Sequence, residues 1–328
     1  MTVAAGANRL PDLAEAPLKL VLVPTPSDDG RPRRFADFAT VGDALDFAAD
    51  GVCGLNFHDP RGILVRAYGY RELRDDAREM AARLVAHGIV PCDRVALVAE
   101  TGPEFAALFF GCILAGAWPV PLPLPTSFGG RDAYVDQLAV QMKSAEPVVL
   151  FYPAELGTMA SDAARAGGLV AIDWESFAAR PAPAFVAHYA APDDIAYLQY
   201  SSGSTRFPHG VVITHRALLN NLAAHSHGME VRPGDRCVSW LPWYHDMGLV
   251  GCLLSPVANQ VSADYLIPRI SRGVRLRGSI SSAAIRVQRS AIHRHSAMTF
   301  ARGASRRNRI RLIVLTCRVG GSRGTART

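Results

Sequence analysis

IAYLQYSSGSTRFPHGVVITH, residues 195–215, sets two β-type runs around a loop of small hydroxylated residues and glycines. Ile195–Tyr200 and Val211–Ile213 read as strands, and the loop between them suits phosphate. Gly203 and Gly210 let backbone N–H groups approach closely, and Ser201, Ser202, Ser204 and Thr205 add hydroxyl donors. Thr205 is also a candidate to help hold a metal ion carried by the phosphates. The loop is not of the Walker A kind, because no Gly-Lys-Ser/Thr ends it and a strand follows instead of a helix. Serine and glycine are also the usual turn residues, so the string taken alone reads more readily as a hairpin turn between two strands.

Upstream, short apolar runs alternate with amphipathic helical patterns. Tyr70, Leu73, Ala77, Met80, Ala81 and Leu84 recur at helical spacing, and Gly88 sits where a C-terminal cap belongs. Arg94–Ala99 predicts a buried strand and Phe105, Leu108, Phe109 and Ile113 a packed helix. Ala117–Val120 predicts another strand, and Pro119–Pro125 forces an extended path. A helix over Arg131–Ala145, a strand over Pro147–Phe151, a helix ending near Gly167 and a strand over Leu169–Ile172 follow. Strand–helix alternation implies right-handed crossovers and an α/β fold with parallel-rich sheets flanked by helices. The proline-bearing run Ala178–Ala191 reads as a connection.

The charge is divided sharply. Of 35 basic and 29 acidic residues, all the acids lie at or before Asp264, while residues 265–328 hold 15 arginines and no lysine. The first 264 residues are therefore net negative, which argues against nucleic acid as the partner of the main body. The tail has almost no aromatic interleaving for base stacking, although its arginines alone could bind phosphate backbone in a salt-dependent way. Its periodicity collapses, and only Ile310–Leu315 passes as a strand, with nothing after it to pair with. Six scattered cysteines form no metal or disulfide pattern and read as thiols of a reducing cytoplasm. No run is long and apolar enough for a membrane span, and the first residues have no signal-peptide pattern.

A second block, Val238–Leu249 (VSWLPWYHDMGL), gives the loop a context. His245-Asp246 alone is an ordinary helix start, since Asp commonly caps helices. Together the two blocks resemble the adenylate-forming superfamily, whose signature loop is roughly [ST]SG[ST]TG-x-PKG. Ser201, Ser202, Gly203, Ser204, Thr205, Pro208 and Gly210 fit it; Arg206 replaces the usual glycine and His209 the usual lysine. Arginine after the SGST core, and the SWLP-x-YHDMGL block, are similar to the fatty-acyl-AMP ligase branch. Weaker similarity runs from roughly Thr40 to Pro268.

The resemblance implies the N-terminal part of the large domain of such an enzyme: an extension over 1–39, an incomplete AMP-binding domain over 40–264, and an aberrant or disordered tail over 265–328. It implies ATP and Mg2+, with the Ser201–Gly210 loop, including Arg206 and His209, on the phosphates. Trp240, Tyr244, Asp246, Met247 and Gly248 would line the acyl pocket, with His245 at the adenylate. A fatty acid carboxylate would attack the α-phosphorus of ATP and the acyl group would pass to an acyl carrier protein, or in a sister reading to coenzyme A. A further reading is a non-catalytic nucleotide-binding remnant. The family's adenine-contacting Glu block, ribose-binding Asp and C-terminal catalytic Lys have no counterpart here. The acid-free tail of an arginine-rich chain suggests a frameshift near residues 265–290, which would cripple activity; DNA lacking the Glu block in the other frames would refute it.

Overall fold

The computed structural model describes residues 22–59, 62–125, 130–200 and 210–266, together with the backbone of 298–304 and 311–317. Helix α1 (Val41–Ala49) begins with a reciprocal cap: Thr40 Oγ1 accepts from the Asp43 amide, and the Asp43 carboxylate accepts from the Thr40 amide. Strands β1 (Gly54–His58) and β2 (Leu64–Gly69) lead into α2 (Tyr70–Ala86). The helical stripe read from the sequence, Tyr70 through Leu84, is the buried face of α2, and Gly88 follows its end with φ of +98°.

From there strands and helices alternate: β3 (Arg94–Val98), α3 (Pro103–Leu114), β4 (Trp118–Leu122), α4 (Gly130–Ala145), β5 (Val149–Tyr152), α5 (Gly157–Ala166), β6 (Val170–Asp173) and the short α6 (Trp174–Ala178). All four strands pair in parallel in the order β4-β3-β5-β6, as the alternation predicts. Pro119 and Pro121 lie in β4, at the sheet's end, where a missing N–H costs no ladder bond. Helix α3 is apolar and buried nearly all round.

Strands β7 (Ile195–Tyr200) and β8 (Gly210–Thr214) form an antiparallel hairpin, followed by α7 (His215–Gly228), β9 (Arg236–Ser239), a π-helical segment (Met247–Leu254), α8 (Ser255–Ala258) and β10 (Ser262–Leu266). Strands β1, β10 and β9 run parallel to one another, with β2 antiparallel at one side. One face of this sheet, with Leu55, Phe57, Ala263, Tyr265 and Cys237, joins the main core. The opposite face is polar and sits beneath the segment at Thr25. There Arg236 and His58 flank Asp264, His58 at 3.0 Å, while Arg236 also donates to the Thr25 carbonyl at 2.8 Å. Burial pushes the Asp264 carboxyl up, but its bonds to His58 and Arg236 outweigh that and hold it below 3.8.

The tail requires a correction. Arg311–Cys317 forms a strand, β12, which does find partners: it runs parallel to β9 and antiparallel to β11 (Met298–Ala304). The sequence reading sought a partner only downstream. Without β12 the strand β9 would be an edge, and an edge backbone accepts an extended segment whatever its side chains. The remainder of 265–328 past Leu266 lies outside the described residues.

Candidate active site

The hairpin and the second block meet in space. Strand β7 is buried from Ala196 to Tyr200, and its register closes at Tyr200 opposite Gly210. Ser201, Ser202, Gly203, Ser204, Thr205, Arg206, Pro208 and His209 all lie outside the described residues. What is described is the frame that carries them. The Tyr200 hydroxyl donates to the Gln141 carbonyl of α4 at 3.0 Å, which anchors the strand end at the loop's mouth. Gly210, the other end, is exposed, and a Cβ there would meet the Tyr200 ring at 3.5 Å.

The second block leaves β9 as a tight turn. Ser239 Oγ accepts from the Leu241 amide at 3.1 Å, and the chain passes Trp240, half-buried, to enter the π-helical segment at Met247. Gly248 is buried against that turn. A Cβ there would fall 2.0 Å from the Pro242 carbonyl oxygen, so the helix can lie this close only with glycine. This packing role is independent of any contact with an acyl chain. Met247 and Tyr244 are half-buried against the core, and burial pushes the Tyr244 phenol above its ordinary value.

His245 and Asp246 form a close pair, Nδ1 to Oδ1 at 2.6 Å. The bond to Asp246 holds the imidazole above its ordinary 6.5 against the opposing effect of burial, and the bond to His245 holds the Asp246 carboxyl below 3.8. Asp246 Oδ1 also accepts from the Met247 amide at 2.7 Å. It is thus both cap and ion-pair partner, so the two readings of His-Asp coexist. This partly exposed imidazole, its charged form favoured by Asp246, stands at the entrance of a helix, one peptide from the bond to the loop's strand.

Two residues that the sequence reading passed over organise this site. Trp243 is wholly buried, its ring edge-on to Tyr265 and Phe57 and tilted against Phe105, so the turn hangs from the core by this side chain. Its place between Pro242 and Tyr244 gives no periodicity to reveal it. Gln199, buried on β7, donates from Nε2 to the Tyr244 carbonyl at 3.0 Å. Its Oε1 has no partner among the described residues. The orientation is fixed by chemistry: a flipped amide would aim its oxygen at the carbonyls of both Tyr244 and Tyr200. An unsatisfied buried polar atom costs about 1–3 kcal/mol.

The AMP-binding enzyme family model matches residues 63–267, most of the chain and both blocks. The chain belongs to the AMP-binding enzyme family. Among its relatives, a Caulobacter vibrioides protein provisionally named an acyl-CoA synthetase is 46% identical over 256 residues, covering 76% of this chain and 43% of the relative. The long-chain-fatty-acid–AMP ligase of Mycolicibacterium smegmatis is 34% identical, covering 68% of this chain and 32% of the relative. A chain from a structural study of fatty acyl-adenylate ligases of E. coli and L. pneumophila superposes with a TM-score of 0.68 at 46% identity, over 72% of this chain and 43% of that one. The L. pneumophila fatty acyl-adenylate ligase in complex with acyl adenylate and pyrophosphate gives 0.62 at 26% identity, over 74% and 41%. This AMP-binding chain therefore spans less than half the length of these relatives. Among the described residues no cluster of His, Cys, Asp or Glu could hold a metal ion, and no helix is long and apolar enough to cross a membrane.

Proposed function

We propose that this chain carries the ATP-phosphate and acyl-carboxylate portion of a fatty-acid-adenylating enzyme. The reaction would join a fatty acid carboxylate to the α-phosphorus of ATP and release pyrophosphate, with Mg2+ arriving on the ATP as substrate. The observation that carries this reading is the Gln199–Tyr244 hydrogen bond, which joins the strand feeding the Ser201–Gly210 loop to the block holding His245. The names of the 34%- and 46%-identical relatives support the same chemistry.

In this reading the chain's own residues align two anions that repel each other. Backbone N–H groups and hydroxyls of Ser201, Ser202, Gly203, Ser204 and Thr205 contact the phosphates, and Arg206 supplies a fork of donors where the family more often has glycine. His209, in the usual lysine position, gives a weaker contact. His245, its charge held by Asp246, stands on the acyl side with Trp240, Tyr244 and Met247. Positioning and charge neutralisation are what such in-line transfer demands of a protein.

The acceptor of the acyl group is proposed to be the phosphopantetheine thiol of an acyl carrier protein, because Arg206 follows the SGST core. The Caulobacter relative's name favours coenzyme A instead. A chimera joining this chain to the downstream portion of that relative, supplied with ATP, Mg2+ and labelled fatty acids, tests both. Labelled acyl-AMP is the expected product, passed to carrier protein in preference to coenzyme A. Absence of acyl-AMP from a folded chimera would refute the adenylating reading; preference for coenzyme A would refute only the acceptor.

A further inference from the structure

We infer that Gln199 is a positioning residue, pinning the Tyr244–His245 peptide so that the His245–Asp246 pair is held in register with the end of β7. That one peptide unit is fixed at both ends. Its carbonyl accepts from Gln199 Nε2 at 3.0 Å, and its N–H donates to the Pro242 carbonyl at 3.2 Å. One residue on, the His245 carbonyl accepts from the Leu249 amide at 2.8 Å. The backbone on either side of the His245 Cα is thereby clamped, which aims the imidazole at Asp246.

A merely structural residue would be a strange choice of glutamine. Its neighbours on β7, Ala196, Tyr197 and Leu198, are buried, and a leucine would fill the same volume without stranding an amide oxygen. Among the described residues Gln199 Oε1 has no partner, while Nε2 holds a backbone carbonyl 45 positions away. Holding a backbone atom has a further consequence: no substitution of the Tyr244 side chain can remove the contact. The one other titratable group that registers the pair among the described residues is the Tyr197 phenol, which lies near enough to feel the Asp246 charge. The inference deepens the adenylating reading by naming what orients the His245 side chain, and rests on that reading only for what the pair is used for.

The test is the titration of His245 followed by NMR of ring-labelled histidine, its signal assigned by loss in His245→Gln. In the unaltered chain the expected midpoint lies above 6.5, because the bond to Asp246 favours the charged ring. In Gln199→Met, which keeps the bulk and removes the donor, the midpoint falls back toward 6.5 while His215, an internal control, stays depressed. Gln199→Asn, too short to reach the carbonyl but still polar, serves if the Met variant does not fold and gives the same fall. An unchanged His245 midpoint in either folded variant overturns the inference. So does absence, in the unaltered chain, of scalar coupling across a hydrogen bond between the Gln199 side-chain nitrogen and the Tyr244 carbonyl carbon. Failure of the chain to bind ATP would count against the adenylating reading and leave this titration readable.

Discussion

The side-chain amide of Gln199 donates to the main-chain carbonyl of Tyr244 at 3.0 Å, a single bond between the strand that enters the Ser/Gly loop and the turn that presents His245. Each segment is also anchored separately, the strand end by Tyr200 to α4 and the turn by Trp243 to the core. The arrangement joins two separately anchored segments through one defined contact.

Gly248→Ala should be among the most damaging small substitutions in the chain. The new methyl meets the Pro242 carbonyl oxygen at 2.0 Å; a Cβ has no torsion to turn it away and its partner is backbone, so neither can swing aside. Overpacking of this sort costs about 1–3 kcal/mol or more, read as a lower urea midpoint. Gly228→Ala is the control: nothing lies within 4 Å of its Cβ and it ends α7, so its stability should hold or rise by a few tenths of a kcal/mol.

Acid should destabilise the chain through His215. This histidine is buried at the first turn of α7 and accepts from the Val41 amide through Nδ1 at 3.2 Å, tying α7 to α1. Burial depresses its pKa from 6.5 to about 4, with Asp194 and Asp43 opposing. The folded pKa lies below the unfolded one, so the unfolded chain binds the proton first. The stabilisation is complete above 6.5 and is lost as pH falls toward 4, by at most on the order of 3 kcal/mol. Urea midpoints of the unaltered chain should fall from about pH 7 to about pH 5 more steeply than those of His215→Gln; equal slopes would contradict the assignment.

The His245–Asp246 pair has the opposite sign at its upper limit. A raised histidine contributes stability below 6.5 and loses it as pH rises through its folded pKa, and a lowered aspartate contributes above 3.8 and loses it in acid. The Asp246 side chain is 69% exposed, so solvent screens the pair and its worth is small. A double-mutant cycle with His245→Gln and Asp246→Asn should give about 0.2–1 kcal/mol of coupling near pH 5 and none near pH 9.

Much of the fold could be read from periodicity, because α2, α4 and the strands β3, β5 and β7 bury regular apolar patterns between clear Gly and Pro stops. Boundaries shifted by a residue or two where caps compete, as at Val149, which starts β5 two residues later than Pro147. Helix α1 escaped notice although Thr40 and Asp43 spell its cap, because it falls outside the alternating pattern. The pairing of β12 is not legible locally, since strand partners are a matter of topology and not of local sequence. Within the site, motif residues such as His245 announced themselves by type and spacing. Gln199 and Trp243 did not: a hydrogen bond to a distant carbonyl and a ring wedged among Phe57, Phe105 and Tyr265 exist only once the chain has folded.

Equilibrium binding of ATP with Mg2+ to the chain, compared with Thr205→Ala and Arg206→Ala, tests the central claim most directly. Saturable binding is the predicted result, weakened about tenfold or more by either substitution, since a hydrogen bond to a charged group is worth about 1.5–3 kcal/mol. Absence of saturable binding by the folded chain, or affinity indifferent to both substitutions, would contradict it.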